Sequence, residues 1–395
     1  MAVGASVTPP QNYADSHPVL RVSTKRFASS PFLDRYATED AVFGVYAGRM
    51  YPLSLGDDPI DGYWRLRRQA ALFDVPERPL QVEGADAERL LDLVLSRDVR
   101  SLAVGRARYA ISCNRRGGIL MDGVLIRFSA DRFWYVLADG DFIGWLQAHA
   151  DGMDVAISDP DSWVLQIQGP TSLDVLRDAC DGGAPDPFPY FAVAEVRIGG
   201  QPVVVSRTGW SGELGFEIYT LPGTVTDTLW ERLLSAGAPH GLAVQSLEAL
   251  GIRRIEAGIL DNGTDMDSDM TPFEAGLGRF VNLDKGSFVG RDALAVADRR
   301  PLVFGISSAS TPVPGSAVRR DGTVAGRITT GAWSPYLRHA IGYARMLEPG
   351  AWVGAQVFVG ADDTPSELVE LPFFDRERKI PRGLARVSAL GAADS

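Results

Sequence analysis

Between Arg207 and Tyr219 the sequence reads Arg-Thr-Gly-Trp-Ser-Gly-Glu-Leu-Gly-Phe-Glu-Ile-Tyr, a glycine-punctuated turn feeding a short strand in which Glu217 stands between Phe216 and Ile218. Side chains alternate along a strand, so Glu217 and Tyr219 share one face while Phe216 and Ile218 pack on the other. A carboxylate presented in this way can accept two parallel N–H bonds from a planar heterocycle with an amino group beside a ring N–H, a guanidine-like or pterin edge. The competing reading is a solvated glutamate on a strand edge. Other polar residues fall on predicted strand ends and helices: Tyr109, Asp122, Asp139, Arg254, Glu256, Asp265 and Arg291. Each taken alone has a structural reading; Arg254 and Glu256, for instance, can staple a helix to a sheet.

The familiar alternatives are missing from the text. His17, His149, His240 and His339 are scattered without metal-ligand spacing. Cys113 and Cys180 are unpaired in sequence, which supports neither a disulfide framework nor a thiolate metal site. No Gly-x-Gly-x-x-Gly follows a strand, and no P-loop or serine nucleophile elbow occurs.

The elements that must position these residues follow from periodicity and turn chemistry. Helices are predicted at 62–71, from Asp86 to Val94, and at 141–150, 172–179, 224–236 and 246–256. Strands are predicted at 108–112, 123–128, 133–138, 155–157, 164–168, 193–197, 201–207 and 215–219. Hairpins alternating with helices give an α+β fold with mostly antiparallel sheets rather than a doubly wound parallel one. From about residue 300, short strands at 301–306, 316–319, 323–330, 340–346 and 356–359 are separated by glycine and proline, the spacing of a small C-terminal β-barrel or jelly roll. The expected organisation is a flexible N-terminal arm (1–26), a binding region of two interleaved α+β subdomains (27–295) and the barrel with a polar tail (296–395). Length supports this, because 395 residues exceed what one hydrophobic core usually holds.

A formal charge of −11 and a pI near 5.0 argue against nucleic acid or an anionic membrane as partner, since both select a basic field. No apolar run of membrane-spanning length occurs, and with reduced cysteines a cytoplasmic setting is expected. The sequence leaves the oligomeric state open.

Several pieces occur together and in order: Met50-Tyr-Pro-Leu53, Leu72-Phe-Asp-Val75, Gly117-Gly-Ile-Leu-Met-Asp122, Gln168-Gly-Pro170, Gly209-Trp-Ser-Gly-Glu-Leu-Gly-Phe-Glu-Ile218, Arg254-Ile-Glu-Ala-Gly258, Pro272-Phe-Glu-Ala-Gly-Leu-Gly278, Phe288-Val-Gly-Arg-Asp-Ala-Leu294 and Gly326-Arg-Ile-Thr-Thr-Gly-Ala-Trp-Ser-Pro335. Over about residues 27–375 the chain resembles the folate-dependent aminomethyltransferase family of the glycine cleavage T protein. That resemblance implies a three-domain ring around a funnel for tetrahydrofolate, with Glu217 on the pterin. Trp210, Tyr109, Arg254 and Arg291 are the further candidates for folate contact. Asp122 and Tyr109 would line the reacting centre, and Arg291 or Arg338 could meet the folate's glutamate tail.

The departures matter as much. The family carries two consecutive aspartates where this chain has Met121 and Asp122, and the first is the one credited with catalysis. Leu250-Gly251 replaces a customary Arg-Asp pair. The dimethylsulfoniopropionate demethylase type is similar in Tyr63-Trp64, Phe133-Trp134, Ala138-Asp139, Gly209-Trp-Ser211, Arg254-Ile-Glu256 and Thr264-Asp-Met266. The expected reaction is therefore methyl transfer from a small S-, N- or O-methyl donor to N5 of tetrahydrofolate, with no lipoyl-protein partner. An onium donor leaves as a neutral thioether or amine and needs no proton; Tyr51, Trp64 and Trp134 could hold its cationic methyl by cation–π attraction. The alternatives are aminomethyl or hydroxymethyl transfer through 5,10-methylenetetrahydrofolate, and folate binding without turnover. The last resembles iron–sulfur assembly factors with a Lys-Gly-Cys-Tyr-x-Gly motif, where this chain has Ser287 in place of the cysteine.

Overall fold

A computed structural model describes residues 24–386 apart from residue 138; the expected N-terminal arm, up to residue 23, and the end of the polar tail lie outside the described residues. A hairpin of β1 (Val42–Tyr46) and β2 (Arg49–Ser54) comes first, then α1 (Pro59–Arg68), β3 (Ala71–Val75), β4 (Arg78–Glu83), α2 (Ala87–Val94), β5 (Arg106–Cys113), β6 (Ile119–Arg127), β7 (Arg132–Leu137), α3 (Ile143–His149) and β8 (Ala156–Ser158). The chain continues through β9 (Val164–Gln168), α4 (Ser172–Ala179), β10 (Val193–Ile198), β11 (Gln201–Ser206), β12 (Gly215–Thr220), α5 (Thr226–Gly237), β13 (Ala243–Val244), α6 (Leu247–Glu256) and α7 (Arg291–Val296). It ends in β14 (Val303–Ser308), β15 (Ala317–Arg320), β16 (Thr323–Ser334), β17 (His339–Met346), β18 (Gln356–Val359) and β19 (Thr364–Val369).

The fold is α+β. One sheet has the order β10-β11-β12-β9-β3-β13, antiparallel except for β13 on β3, and a second has the order β5-β6-β7-β4-β8. The last six strands close into an antiparallel barrel, β14-β17-β16-β15-β18-β19, because β19 returns to pair with β14. Period-2 alternation sorts its residues: Phe304, Ile306, Ala344 and Met346 fill the barrel, whereas Val303, Ile341 and Tyr343 face outward onto a second core with Ile111, Ile119 and Phe273. The closing strand was not expected from sequence, where Pro365 and alternating polar residues mask it.

One helix begins earlier than expected. Asp58 caps α1, its carboxylate accepting from the Ile60 N–H at 2.8 Å, and Pro59 occupies the first turn. Residue 71 then starts the wholly buried strand β3 instead of ending the helix.

The sheets and the barrel meet around buried charge. Arg67 of α1 lies 3.2 Å from Glu213 and 3.0 Å from Glu256, and Arg253 of α6 lies 2.8 Å from Glu213. Glu256 also accepts from Tyr63 Oη at 2.7 Å and, across the interface, from Ser334 Oγ of β16 at 2.6 Å. All four charged groups are buried. Removing one partner from such a set leaves a desolvated charge uncompensated. Glu256→Ala should therefore lower stability by about 3–5 kcal/mol in urea unfolding; a loss under about 1 kcal/mol would show that the network does not carry the interface.

Candidate functional site

Strand β12 is central in its sheet and all six of its residues are buried. Glu217 is 5% exposed, so the solvated-edge reading does not hold. The glycines before it are dictated by space. A Cβ on Gly215 would sit 2.3 Å from the Gln168 side chain, and Gly212 has φ +67 with the Ala257 Cβ 2.6 Å from its would-be Cβ. Register puts Glu217 opposite Gln166 on β9 and Ser206 on β11. Its Oε1 accepts from Gln166 Nε2 at 3.1 Å; its Oε2 lies 2.6 Å from the Thr208 hydroxyl and 2.5 Å from Tyr219 Oη. Burial pushes the carboxyl upward, opposed by the two hydroxyls. No cation pairs with it among the described residues.

Glu217 lines a cavity of about 820 Å³ walled by β5, β6 and β12, the loop after α6, residues 277–280 and the segment 376–382. Tyr109 and Asp122 also line it. They are diagonal neighbours, since Tyr109 pairs with Val124 two residues beyond Asp122. Asp122 accepts from Tyr109 Oη at 2.9 Å and from Asn262 Nδ2 at 3.1 Å. Burial pushes Asp122 up to about 6, against the lowering effect of those two bonds, and burial also pushes the Tyr109 phenol well upward. An acid poised near neutrality can hold or release a proton at working pH.

The other expected site residues divide. Trp210 lines the cavity. Arg254 stacks on the Trp210 ring at 5.0 Å but does not line the cavity; it is ion-paired at 2.5 Å with Asp265, which also receives Thr329 of the barrel. Asp139 holds the turn of the β1–β2 hairpin by accepting from the Ala47 N–H. Arg291 donates to the Leu283 carbonyl and neighbours Asp292, and neither Arg291 nor Arg338 lines the cavity. The cationic lining of the cavity is instead Arg97, Arg106, Arg108, Arg279, Arg378 and Arg382, none of them ion-paired among the described residues, with Arg376 beside them paired to Glu370.

The expected aromatic cage does not assemble. Trp134 is buried between Phe128 and Tyr219, with its Nε1 on Gln81. Trp64 lies edge-on to Tyr63 and under Arg68, and Tyr51 meets Tyr46 edge to face; none of the three lines the cavity. Trp134 shares its strand face with the cavity-lining Val136, and it is the packing of its ring against Phe128 and Tyr219 that keeps it from the cavity. The aromatic walls are Tyr46, Tyr109, Tyr190, Phe191, Trp210 and Phe280.

Met121 faces the opposite way from Asp122, into the core that includes Leu91, Leu125 and Phe142. A side chain at 121 cannot reach the cavity from a regular strand. Its lack of a carboxylate therefore removes nothing from the site.

Sequence reasoning missed Asn262, which anchors Asp122, and Glu77, which sits between β3 and β4 and lines the cavity beside Glu217. The only local sign of Glu77 is its place between Pro76 and Pro79, which fixes a turn without saying what the turn faces.

An α+β body with a C-terminal closed barrel and a cavity combining a buried acceptor carboxylate, a proton-holding aspartate and a basic side defines a small-molecule enzyme of the one-carbon transferase class. Comparison with known proteins agrees. Residues 32–285 match the GCVT N-terminal domain and residues 299–375 the glycine cleavage T-protein C-terminal barrel domain. The chain is 35% identical over 353 residues to an aminomethyltransferase of Streptomyces avermitilis, covering 84% of this chain and 94% of that one. It is 32% identical over 370 residues to an aminomethyltransferase of Caldanaerobacter subterraneus, covering 90% and 98%. The crystal structure of glycine cleavage system aminomethyltransferase T from Bartonella henselae superposes with TM-score 0.79 at 26% identity, covering 89% of this chain and 99% of that one. The chain belongs to the glycine cleavage T-protein family, and it is a tetrahydrofolate-dependent one-carbon transferase.

These matches correct one expectation. Relatives that are aminomethyltransferases, and a structural neighbour that is one component of a glycine cleavage system, overturn the view that no lipoyl-protein partner is involved. No helix among the described residues is long and apolar enough to cross a membrane.

The carboxyl ¹³C signal of Asp122, assigned by its loss in Asp122→Asn, should titrate with a midpoint near 6. Tyr109→Phe should move that midpoint upward, because the phenol bond favours the carboxylate. The folded value exceeds the ordinary 3.8, so the stability this group contributes is full below about pH 4 and is lost as pH rises through 6, by at most about 3 kcal/mol. A midpoint near 4 in the folded protein would refute the assignment.

Proposed function

We propose that this enzyme transfers an aminomethyl group, making or consuming 5,10-methylenetetrahydrofolate, with Glu217 as the pterin anchor and Asp122 as the proton carrier. One observation carries the folate assignment: a buried carboxylate with no cation partner, on the wall of a cavity of about 820 Å³. Such a group is costly unless a ligand supplies charge-assisted N–H donors, and the 2-amino-4-oxo edge of a pterin supplies them in parallel. Thr208 and Tyr219 fix the orientation of Glu217 before the ligand arrives, which limits the entropy cost of binding.

Tetrahydrofolate, when bound, supplies the amine nitrogens that take up the one-carbon unit. Taking the carbon from an aminomethyl thioether breaks its C–N bond, releasing ammonia, and its C–S bond, releasing the thiol, while the two folate N–H groups give up their protons; the departing nitrogen needs a proton, and Asp122 near neutrality can hold and deliver it. Tyr109 and Asn262 fix the two oxygens of Asp122, so the proton sits at a defined place. The basic side formed by Arg97, Arg106, Arg108 and Arg279 suits the anionic end of the folate in a protein of net charge −11. The relatives named aminomethyltransferase favour this transfer over demethylation. So do the separation of Trp64 and Trp134 from the cavity, which removes the proposed onium cage, and the core-facing position of residue 121.

The test is anaerobic incubation with 5,10-methylenetetrahydrofolate, ammonium and dihydrolipoamide as a small thiol carrier, set beside tetrahydrofolate with sulfonium, betaine-like, aryl ether and N-methylamine donors. Folates are identified by mass. Consumption of the methylene form only with all three partners supports aminomethyl transfer; a 5-methyl product from a methyl donor would replace it with demethylation. Glu217→Ala should abolish tetrahydrofolate binding in fluorescence titration while the circular dichroism spectrum is kept, and native affinity in that variant would end the pterin assignment.

A further inference from the structure

Resting on the folate reading of this cavity, we propose that Glu77, which lines it, is a second pterin-reading carboxylate that accepts from the 2-amino group of the bound folate beside the contact made by Glu217. The two acids are joined by one amide: Gln166 Nε2 donates to Glu77 Oε1 at 2.9 Å and to Glu217 Oε1 at 3.1 Å. That spends both amide hydrogens. Glu77 Oε2 and Gln166 Oε1 are then buried acceptors with no donor among the described residues. Arg78, next in sequence, is ion-paired with Asp159 at 2.6 Å; Arg49 donates to the Glu77 main-chain carbonyl at 2.9 Å and stacks over Trp163 at 4.0 Å; and neither Glu77 nor Glu217 has an ion-pair partner among the described residues. Burial and the neighbouring Glu217 carboxylate push the Glu77 carboxyl upward.

This part of the cavity therefore has a surplus of acceptors and a shortage of donors. Buried acceptors left unpaired are destabilising, so a wall built this way selects a ligand with several N–H groups close together. The 2-amino-4-oxopyrimidine edge presents three: N3–H and two hydrogens on the amino nitrogen. A single carboxylate takes two of them in parallel, which leaves one amino hydrogen for a second acceptor. Glu77, held beside Glu217 by Gln166, supplies it. The consequence is specificity: a folate without the amino group strands a buried oxygen on Glu77, and such a mismatch discriminates strongly.

The test compares tetrahydrofolate with its 2-desamino-2-methyl analogue by equilibrium binding to the full-length wild type and to Glu77→Gln. Glu77→Gln should weaken tetrahydrofolate on the order of ten- to a hundredfold and leave the analogue's affinity within about twofold. Equal losses for both ligands would make Glu77 merely structural, and no loss for tetrahydrofolate would remove it from the site. Should Glu77→Gln fail to fold, Glu217→Gln carries the test at high ligand concentration. With Glu77 reading the amino group, that variant still prefers tetrahydrofolate over the analogue by about tenfold, and loss of all preference overturns the proposal. Failure of the wild type to bind tetrahydrofolate at all, a separate result, would sink the folate reading and this inference together.

Discussion

Two arginines and two glutamates, closed off from water, hold this molecule in one piece. Arg67 comes from the first helix, Arg253 and Glu256 from the sixth, and Glu213 from the turn that launches the site strand. Each ion pays a large desolvation cost alone, and the cost is offset only when all four are in register with their hydrogen-bonding neighbours. The network is thus a geometric lock. Glu213 places Glu217 four residues further on, and Ser334 brings the barrel wall onto the same helix. Arg254 extends the lock on the next residue by joining Asp265, and Tyr343 sets its hydroxyl against carbonyls at the end of that helix.

With the frame fixed, the site is an exercise in charge placement. Glu77 and Glu217, acids without a cation, and arginines without an acid line the same cavity. Asp122, whose proton affinity burial has raised to near neutrality, lines it too. A ligand that is guanidine-like at one end and anionic at the other satisfies both sets at once, which is the charge layout of a folate. Polarity along the cavity gives orientation, and the aspartate's position gives the place where a proton can be moved.

Much of this was legible from residues. The glycine-bracketed turn, the strand through Glu217 and the diagonal pair of Tyr109 and Asp122 are local patterns, and ordered motifs over most of the chain carried the family. Strand parity also held the answer for Met121, since adjacent strand residues face opposite ways; knowing which of the two faces met the cavity required the sheet's neighbours. The aromatic cage failed because of packing. Trp64 and Trp134 have the right chemistry, but their faces are occupied by Tyr63, Arg68, Phe128 and Tyr219.

What the sequence determined alone was the set of elements and the class of chemistry, because turn residues, periodicity and a carboxylate in an apolar strand act through near neighbours along the chain. Tertiary structure decided which groups meet. Glu77 and Glu217 are 140 positions apart and become neighbours only through Gln166 on the strand between β3 and β12, while Asn262 reaches Asp122 from a loop after the sixth helix. Burial, which raises the proton affinity of both Asp122 and Glu217, is a property of packed sheets and not of any segment.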